Sequence, residues 1–270
     1  MSQTPSPSAP KLEGNMFLFT KPALLNIQQH GDMGVTRPQR PFGYAEHIRA
    51  VPLTVSEIAA ASRHYPVIFT DDKTPQPLAV VGIIDDQNLF VDDAGNWEDN
   101  TYIPGYLRRY PFALANDKES GPDGPRMALI VDEAYEGIQS GSDMPFFENG
   151  NPSPAMEQAM DFCKNYEKDR MVTLQFATEL AKHELLAEQV AQFTPDGAKD
   201  PMPFAKYTSI EEKKLQELDD EKFIALRKSN MLPVLYAHLM SMGNWRNLME
   251  RRARRYNLTG EAVLKPLPKS

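Results

Sequence analysis

Hydrophobic positions change their spacing near residue 150, which divides the chain into an expected strand-rich part and an expected helical part. Ala45 to Val51 reads as a strand ended by Pro52. Thr54-Val55-Ser56-Glu57 then has capping-box spacing, in which the Thr hydroxyl accepts an early helical N–H and Glu57 reaches back. A helix from Val55 to about Arg63 follows and stops before Pro66, and Val67-Ile68-Phe69 is short, apolar and β-prone. Pro77 to Ile84 and Asn88 to Val91 flank Asp85-Asp86-Gln87 as a hairpin would, and Asp92-Asp93-Ala94-Gly95 is turn chemistry leading to Trp97. Phe112 to Ala115 and Met127 to Val131 form a further expected strand pair, joined by the polar loop Asn116 to Pro125.

The later spacing is helical. Ser153-Pro154 sets an N-cap serine before a first-turn proline, and Met156, Met160, Cys163, Tyr166, Leu174, Ala177 and Ala181 then fall near one face. This predicts one long helix, or two with a break near Asp169. Thr194 to Pro203 reads as a loop. Ser209-Ile210-Glu211-Glu212 repeats the capping-box spacing, Asp219 or Asp220 can cap the next helix, and Pro233 suits the first turn of a third. The predicted fold class is α+β: a mainly antiparallel sheet with a helix on one face, packed against a helical C-terminal half. The expected divisions are a tail over 1–15, a β-rich region over 16–150, a helical region over 151–260 and a tail over 261–270.

Composition narrows the function classes. A chain of 270 residues with 41% hydrophobic and 24% charged positions can bury a sizeable core, which excludes wholesale disorder. Its 23 prolines favour extended segments and sharp turns over a pure bundle. A net charge of -8 weighs against nucleic acid as a partner, although Arg246, Arg251, Arg252, Arg254 and Arg255 crowd one stretch. Cys163 is the only cysteine, which rules out an intramolecular disulfide and a multi-cysteine zinc site and fits a reducing compartment. The polar Met1–Pro10 segment lacks the basic and apolar regions of an export signal, and no run approaches the roughly 18 apolar residues of a membrane span. The cytoplasm is the expected location.

Five segments, taken in order, resemble one family. They are Val51-Pro52-Leu53 with Glu57; Tyr65-Pro66-Val67-Ile68-Phe69; Asn88-Leu89-Phe90-Val91 leading to Gly95-Asn96-Trp97; Tyr102-Ile103-Pro104-Gly105-Tyr106-Leu107-Arg108-Arg109-Tyr110-Pro111-Phe112; and Tyr236-Ala237-His238-Leu239-Met240-Ser241. Together they resemble the SapC family, named for a protein associated with bacterial surface-layer gene clusters, over roughly residues 45 to 250. The resemblance implies a bacterial accessory role in a surface-related pathway, beside outer-membrane receptors and flavin-dependent halogenase-like proteins. It brings no catalytic residues to transfer.

The candidate ligand-binding residues are therefore chosen by chemistry. Arg108 and Arg109 lie among the aromatic faces of Trp97, Tyr102, Tyr106 and Tyr110, and a guanidinium fork among aromatic rings can hold a carboxylate, a phosphate or a peptide. The competing reading is an arginine neutralised by an internal acid, and it outweighs the first. His238 and Ser241 share a helix face, yet no nucleophile-elbow pattern surrounds Ser241, and Cys163 reads as core. The five histidines are scattered without a His-Glu-x-x-His pattern, and no dinucleotide or P-loop fingerprint is present, so neither a metal nor a cofactor is expected. The leading expectation is a non-catalytic binding protein for a peptide or protein client. One alternative is an enzyme that modifies a peptide or small molecule around Arg108, Arg109 and Tyr110. Another is a regulatory protein whose basic C-terminal helix contacts nucleic acid. Oligomeric state is not legible.

Overall fold

The computed structural model describes residues 16–71, 73–117 and 126–268. The polar N-terminal segment, most of the expected 116–125 loop and the last two residues lie outside them. In chain order the first strands are β1 (Pro22–Leu24), β2 (Met33–Val35), β3 (Ala50–Pro52), β4 (Val67–Phe69) and β5 (Pro77–Val80). Then come β6 (Phe112–Asp117), β7 (Arg126–Asp132), β8 (Ile138–Ser140), β9 (Met144–Pro145), β10 (Phe147–Glu148) and β11 (Asn151–Pro152). A late hairpin supplies β12 (Leu186–Phe193) and β13 (Met202–Ile210). The helices are α1 (Ile27–His30), α2 (Ile58–Ala61), α3 (Gly105–Arg108) and α4 (Pro154–Lys182), then α5 (Glu212–Gln216), α6 (Asp220–Lys228), α7 (Leu232–Ser241) and α8 (Asn244–Arg255). The fold is α+β, with every strand pair antiparallel.

The chain forms two compact units. One comprises the residues up to Pro38 with Arg109–Glu167, and the other comprises Gln39–Arg108 with the residues from Lys168 onward. In the first unit β1, β7 and β6 make a sheet in that order, and β2 lies between β8 and β9 in another. Phe112, Leu114, Leu129, Val131, Phe146 and Cys163 bury their side chains in one apolar cluster. Asp132, fully buried, accepts from the backbone N–H groups of Thr20 and Lys21 and from the Tyr110 hydroxyl, so one carboxylate anchors the entry to β1. Such a charge persists in a core only because its acceptor sites are filled.

The second unit is built on a five-stranded sheet in the order β12-β13-β4-β5-β3. β13 pairs with β4 only at Thr208↔Phe69 before the two diverge. The freed N–H of Val67 is taken by the Ser241 hydroxyl at 3.0 Å, so the end of α7 stands in for the departed strand. Asn244 does the same at the carbonyls of Ser62 and Tyr65, which ties the start of α8 to the turn after α2. Gly95 closes the turn before Trp97 with φ +76°, and a Cβ there would lie 2.5 Å from the Arg40 Cβ.

Several local signals hold. The Thr54 capping box forms over a 3-10 turn that continues as α2, Asp219 caps α6, and α4 runs unbroken for 29 residues. Other expectations fail. Ser209 lies in β13 and its side chain does not cap, Glu211 being the N-cap of α5. Asn88 to Val91 forms no strand beyond an isolated Val91↔Trp97 bridge, and residues 43–45 are a 3-10 turn rather than the start of a strand. The β12–β13 hairpin interrupts the stretch expected to be helical.

Candidate functional site

Glu57 explains why two of the motif segments go together. It is buried, and its Oε2 accepts from the Thr54 N–H at 2.8 Å and the Thr54 hydroxyl at 2.9 Å. Its Oε1 accepts from the Tyr102 hydroxyl at 2.9 Å and the Gly105 N–H at 2.5 Å. The carboxylate thus closes the capping box and binds the start of α3 in one step. Arg108, at the end of α3, places its guanidinium 4.0 Å from Glu57, donates to the Tyr102 hydroxyl at 3.1 Å and lies over that ring at 5.6 Å. Burial, then the nearby Glu57 charge, pushes the Tyr102 phenol up to about 12, so it stays a neutral donor. Arg108 is 44% exposed.

The other aromatic candidates are structural neighbours. Trp97 is buried against Phe90, Tyr65 and Phe42, with ring centroids 6.1, 6.5 and 5.6 Å away. Tyr65 donates its hydroxyl to the Tyr102 carbonyl, which links the Trp97 cluster to the Glu57 site. Tyr106 is buried on α3. The chain leaves this unit between Arg108 and Arg109. In the first unit Arg109 is 6% exposed, forms an ion pair with Glu167 at 3.5 Å and lies 4.5 Å over the Tyr166 ring, while Tyr110 donates to Asp132 at 2.9 Å. The six-residue aromatic and arginine cluster imagined from sequence is therefore divided between the two units.

His238 sits elsewhere in the second unit. It is fully buried on α7, 5.0 Å from the Phe69 ring, and neither ring nitrogen has a hydrogen-bond partner among the described residues. Burial pushes its pKa down to about 3, which keeps the ring neutral. Ser241 donates at 2.6 Å to the His238 backbone carbonyl rather than to the ring. In the first unit burial pushes the Cys163 thiol up to about 11. Among the described residues no group of three or more His, Cys, Asp or Glu side chains could hold a metal ion.

The basic helix α8 turns Arg251, Arg252 and Arg255 toward the rest of its unit. Trp245, Leu248, Met249 and Arg252 share its buried face at helical spacing. Arg252 is fully buried and donates to the Val263 carbonyl and Asp85 at 2.6 Å and to the Lys265 carbonyl at 2.9 Å. Arg255 donates to the Val91 carbonyl at 2.6 Å, and Arg251 pairs with Glu98 while lying 4.1 Å over Phe90. These contacts engage Arg251, Arg252 and Arg255 within the unit, while Arg246, paired with Glu250, stays on the exposed side of α8.

Sequence reasoning missed the outer edge of the second sheet. The Glu211 N–H donates to the Leu185 carbonyl, which fixes the alternation of the β12–β13 ladder. Ala187, Gln189 and Ala191 therefore point their backbone groups at β13, and Glu188, Val190 and Gln192 point theirs outward. The outward N–H and C=O groups of these three residues have no hydrogen-bond partner among the described residues, whereas Lys214 Nζ takes the Leu186 carbonyl at 2.8 Å. Val190 adds a 44% exposed apolar side chain at the centre of this edge. A register shift between Ala191 and Gln192 leaves Phe204 without an opposite residue. It turns toward the face of Tyr207, and both rings meet Trp245 of α8. Pro195-Asp196-Gly197, with Gly197 at φ +85°, is the turn signal that could have revealed the hairpin.

The protein is thus an α+β chain with a Glu57-centred motif site and an open sheet edge. The SapC family model matches residues 25–248, and the protein belongs to that family. No curated protein and no solved structure matches the chain. Among the described residues no helix is long and apolar enough to cross a membrane.

Proposed function

We propose that this protein is a non-catalytic accessory protein of the cytoplasm that holds an extended peptide segment of a client, in the surface-related setting the family name implies. The observation that carries the reading is the outward edge of β12. A strand with unsatisfied outward N–H and C=O groups is a template for strand addition, in which main-chain bonds supply affinity and alternate side chains supply selectivity. Glu188, Val190 and Gln192 each offer one donor and one acceptor to an incoming backbone. The nucleophile and base candidates support the same reading, because Ser241 and His238 are held in structural roles. Arg108, half-exposed at the end of α3 beside Glu57 and Tyr102, is a proposed second contact for an acidic client group.

The test is Val190→Pro. The Val190 N–H points away from β13, so proline there keeps the hairpin ladder and removes the central outward donor. An array of random heptapeptides probed with the wild-type protein should retain a set that the variant loses, at unchanged far-UV circular dichroism and unfolding midpoint. Retention of the same set by the variant would refute strand addition.

A further inference from the structure

The β12 edge runs into a cavity of about 650 Å³, a size suited to a short peptide end. Gln192 and Phe193 belong to both the strand and the cavity wall, the hairpin loop adds Asp196, and the exposed side of α8 adds Arg246, Glu250 and Arg254. Leu258 and Val263 supply further apolar surface.

The charges are not all matched internally. Arg246 is paired with Glu250 at 2.8 Å, one turn along α8. Asp196 and Arg254 line the same cavity, yet neither side chain has an ion-pair partner among the described residues, including each other. A complementary occupant carries one positive and one negative group, with an apolar portion for Phe193 and Leu258.

Direction follows from the sheet. Every pair in it is antiparallel, and antiparallel pairing is the more stable kind per residue. A strand added antiparallel to β12 begins beside Phe193, so the peptide's N-terminal end is the end that reaches the cavity. We propose that this cavity recognises the free N-terminus of the client, with its α-ammonium on Asp196 and an acidic side chain at its first or second position on Arg254. The inference rests on strand addition at β12, names the client by its chemistry and assigns a specificity role to two residues outside the family motifs.

The probe is the hexapeptide Glu-Val-Thr-Val-Thr-Val, labelled at its C-terminus and titrated into the full chain by fluorescence anisotropy. It is compared with its N-acetylated form and with a form carrying Lys first. Exposed charge pairs are worth up to about 1 kcal/mol each, which is roughly a fivefold change in Kd. Acetylation and Asp196→Asn should each weaken binding by about that factor. Their combination should add little beyond either alone, because both remove the same pair. Arg254→Met should abolish the preference for Glu over Lys at the first position. Both substitutions lie on exposed side chains and should leave the unfolding midpoint unchanged. If Val190→Pro removes binding while acetylation, Asp196→Asn and Arg254→Met change nothing, strand addition stands and the cavity inference is overturned. If Asp196→Asn and acetylation weaken binding while Val190→Pro does not, the cavity holds the N-terminus and the strand-addition reading fails. Failure of every probe to bind, free or acetylated, overturns both.

Discussion

Lowering the pH from 7 to 5 should remove about 2 kcal/mol of stability from the unit that contains His238. The ring is fully buried, and neither nitrogen meets a partner at good hydrogen-bond geometry among the described residues, so protonation would place a cation beside Phe69 with only the Val67 backbone to offset the loss of water. Its pKa in the fold is about 3, against 6.5 for the free side chain. The folded value lies below the unfolded one, so the unfolded chain binds a proton first as the pH falls. The contribution is therefore complete above pH 6.5 and is lost progressively toward pH 3. Each pH unit within that window costs about 1.4 kcal/mol, and one and a half units give the figure of about 2. The assay is urea unfolding at several pH values between 7 and 5, followed by tryptophan fluorescence. Both tryptophans, Trp97 and Trp245, lie in the same unit as His238 and report on it alone. His238→Leu is the comparison. It should match or exceed wild-type stability at pH 7, since two unsatisfied nitrogens disappear, and it should lose about 2 kcal/mol less between pH 7 and 5. His64, whose pKa burial also lowers, is present in both proteins and cancels in the difference. An equal loss in wild type and variant would refute the argument.

Glu57→Gln should destabilise by about 2 to 4 kcal/mol by urea unfolding, because an amide nitrogen would then face a donor that Glu57 now accepts from. Arg109→Met should cost about 3 to 5 kcal/mol by leaving Glu167 without its buried partner. Arg108→Met should stay within about 1 kcal/mol of wild type, since its contacts are half-exposed; equal large losses in both would remove Arg108 as a binding group.

Features of this fold that a few consecutive residues decide were legible in the sequence. The Thr54 capping box, the Asp219 cap, the paired strands Phe112–Asp117 and Arg126–Asp132 and the long helix from Pro154 all follow from local bonding and periodicity. What failed depends on distant partners. Asn88 to Val91 has strand composition, but Arg255 takes the Asn88 and Val91 carbonyls, and the Asn88 side chain donates to Ala45 and accepts from the Phe90 N–H. The Asn88 and Leu89 N–H groups donate to the Glu46 and Val81 carbonyls and the Phe90 carbonyl accepts from the Glu98 N–H, so side chains and scattered backbone bonds together satisfy the segment without a ladder. The arginines of α8 show the same limit: only the carbonyls and acids around Asp85, Asp93 and Glu98 reveal that Arg251, Arg252 and Arg255 are engaged within the unit while Arg246 and Arg254 stay exposed.

The β12 edge is the hardest case, and it is where the proposed function lies. Leu186, Ala187, Val190 and Ala191 repeat at helical spacing, so periodicity alone assigns the segment to the helix that precedes it. Pairing with β13 overrides that preference, and the aromatic and β-branched run Phe204, Tyr207, Thr208 and Ile210 in β13 favours a strand. Even with both strands recognised, openness is not a property of β12. It depends on which other backbone lies alongside, and β4 meets the far side of β13 at one point while no described backbone lies along the outer side of β12. A binding edge of this kind has no residue signature, because its recognition groups are backbone N–H and C=O, common to nearly every residue. Side-chain chemistry enters only at its end, where Asp196 and Arg254 meet the cavity. Motif reading favoured Arg108 and its aromatic neighbours because side chains are what a sequence displays, and the geometry shows most of those side chains holding the fold together.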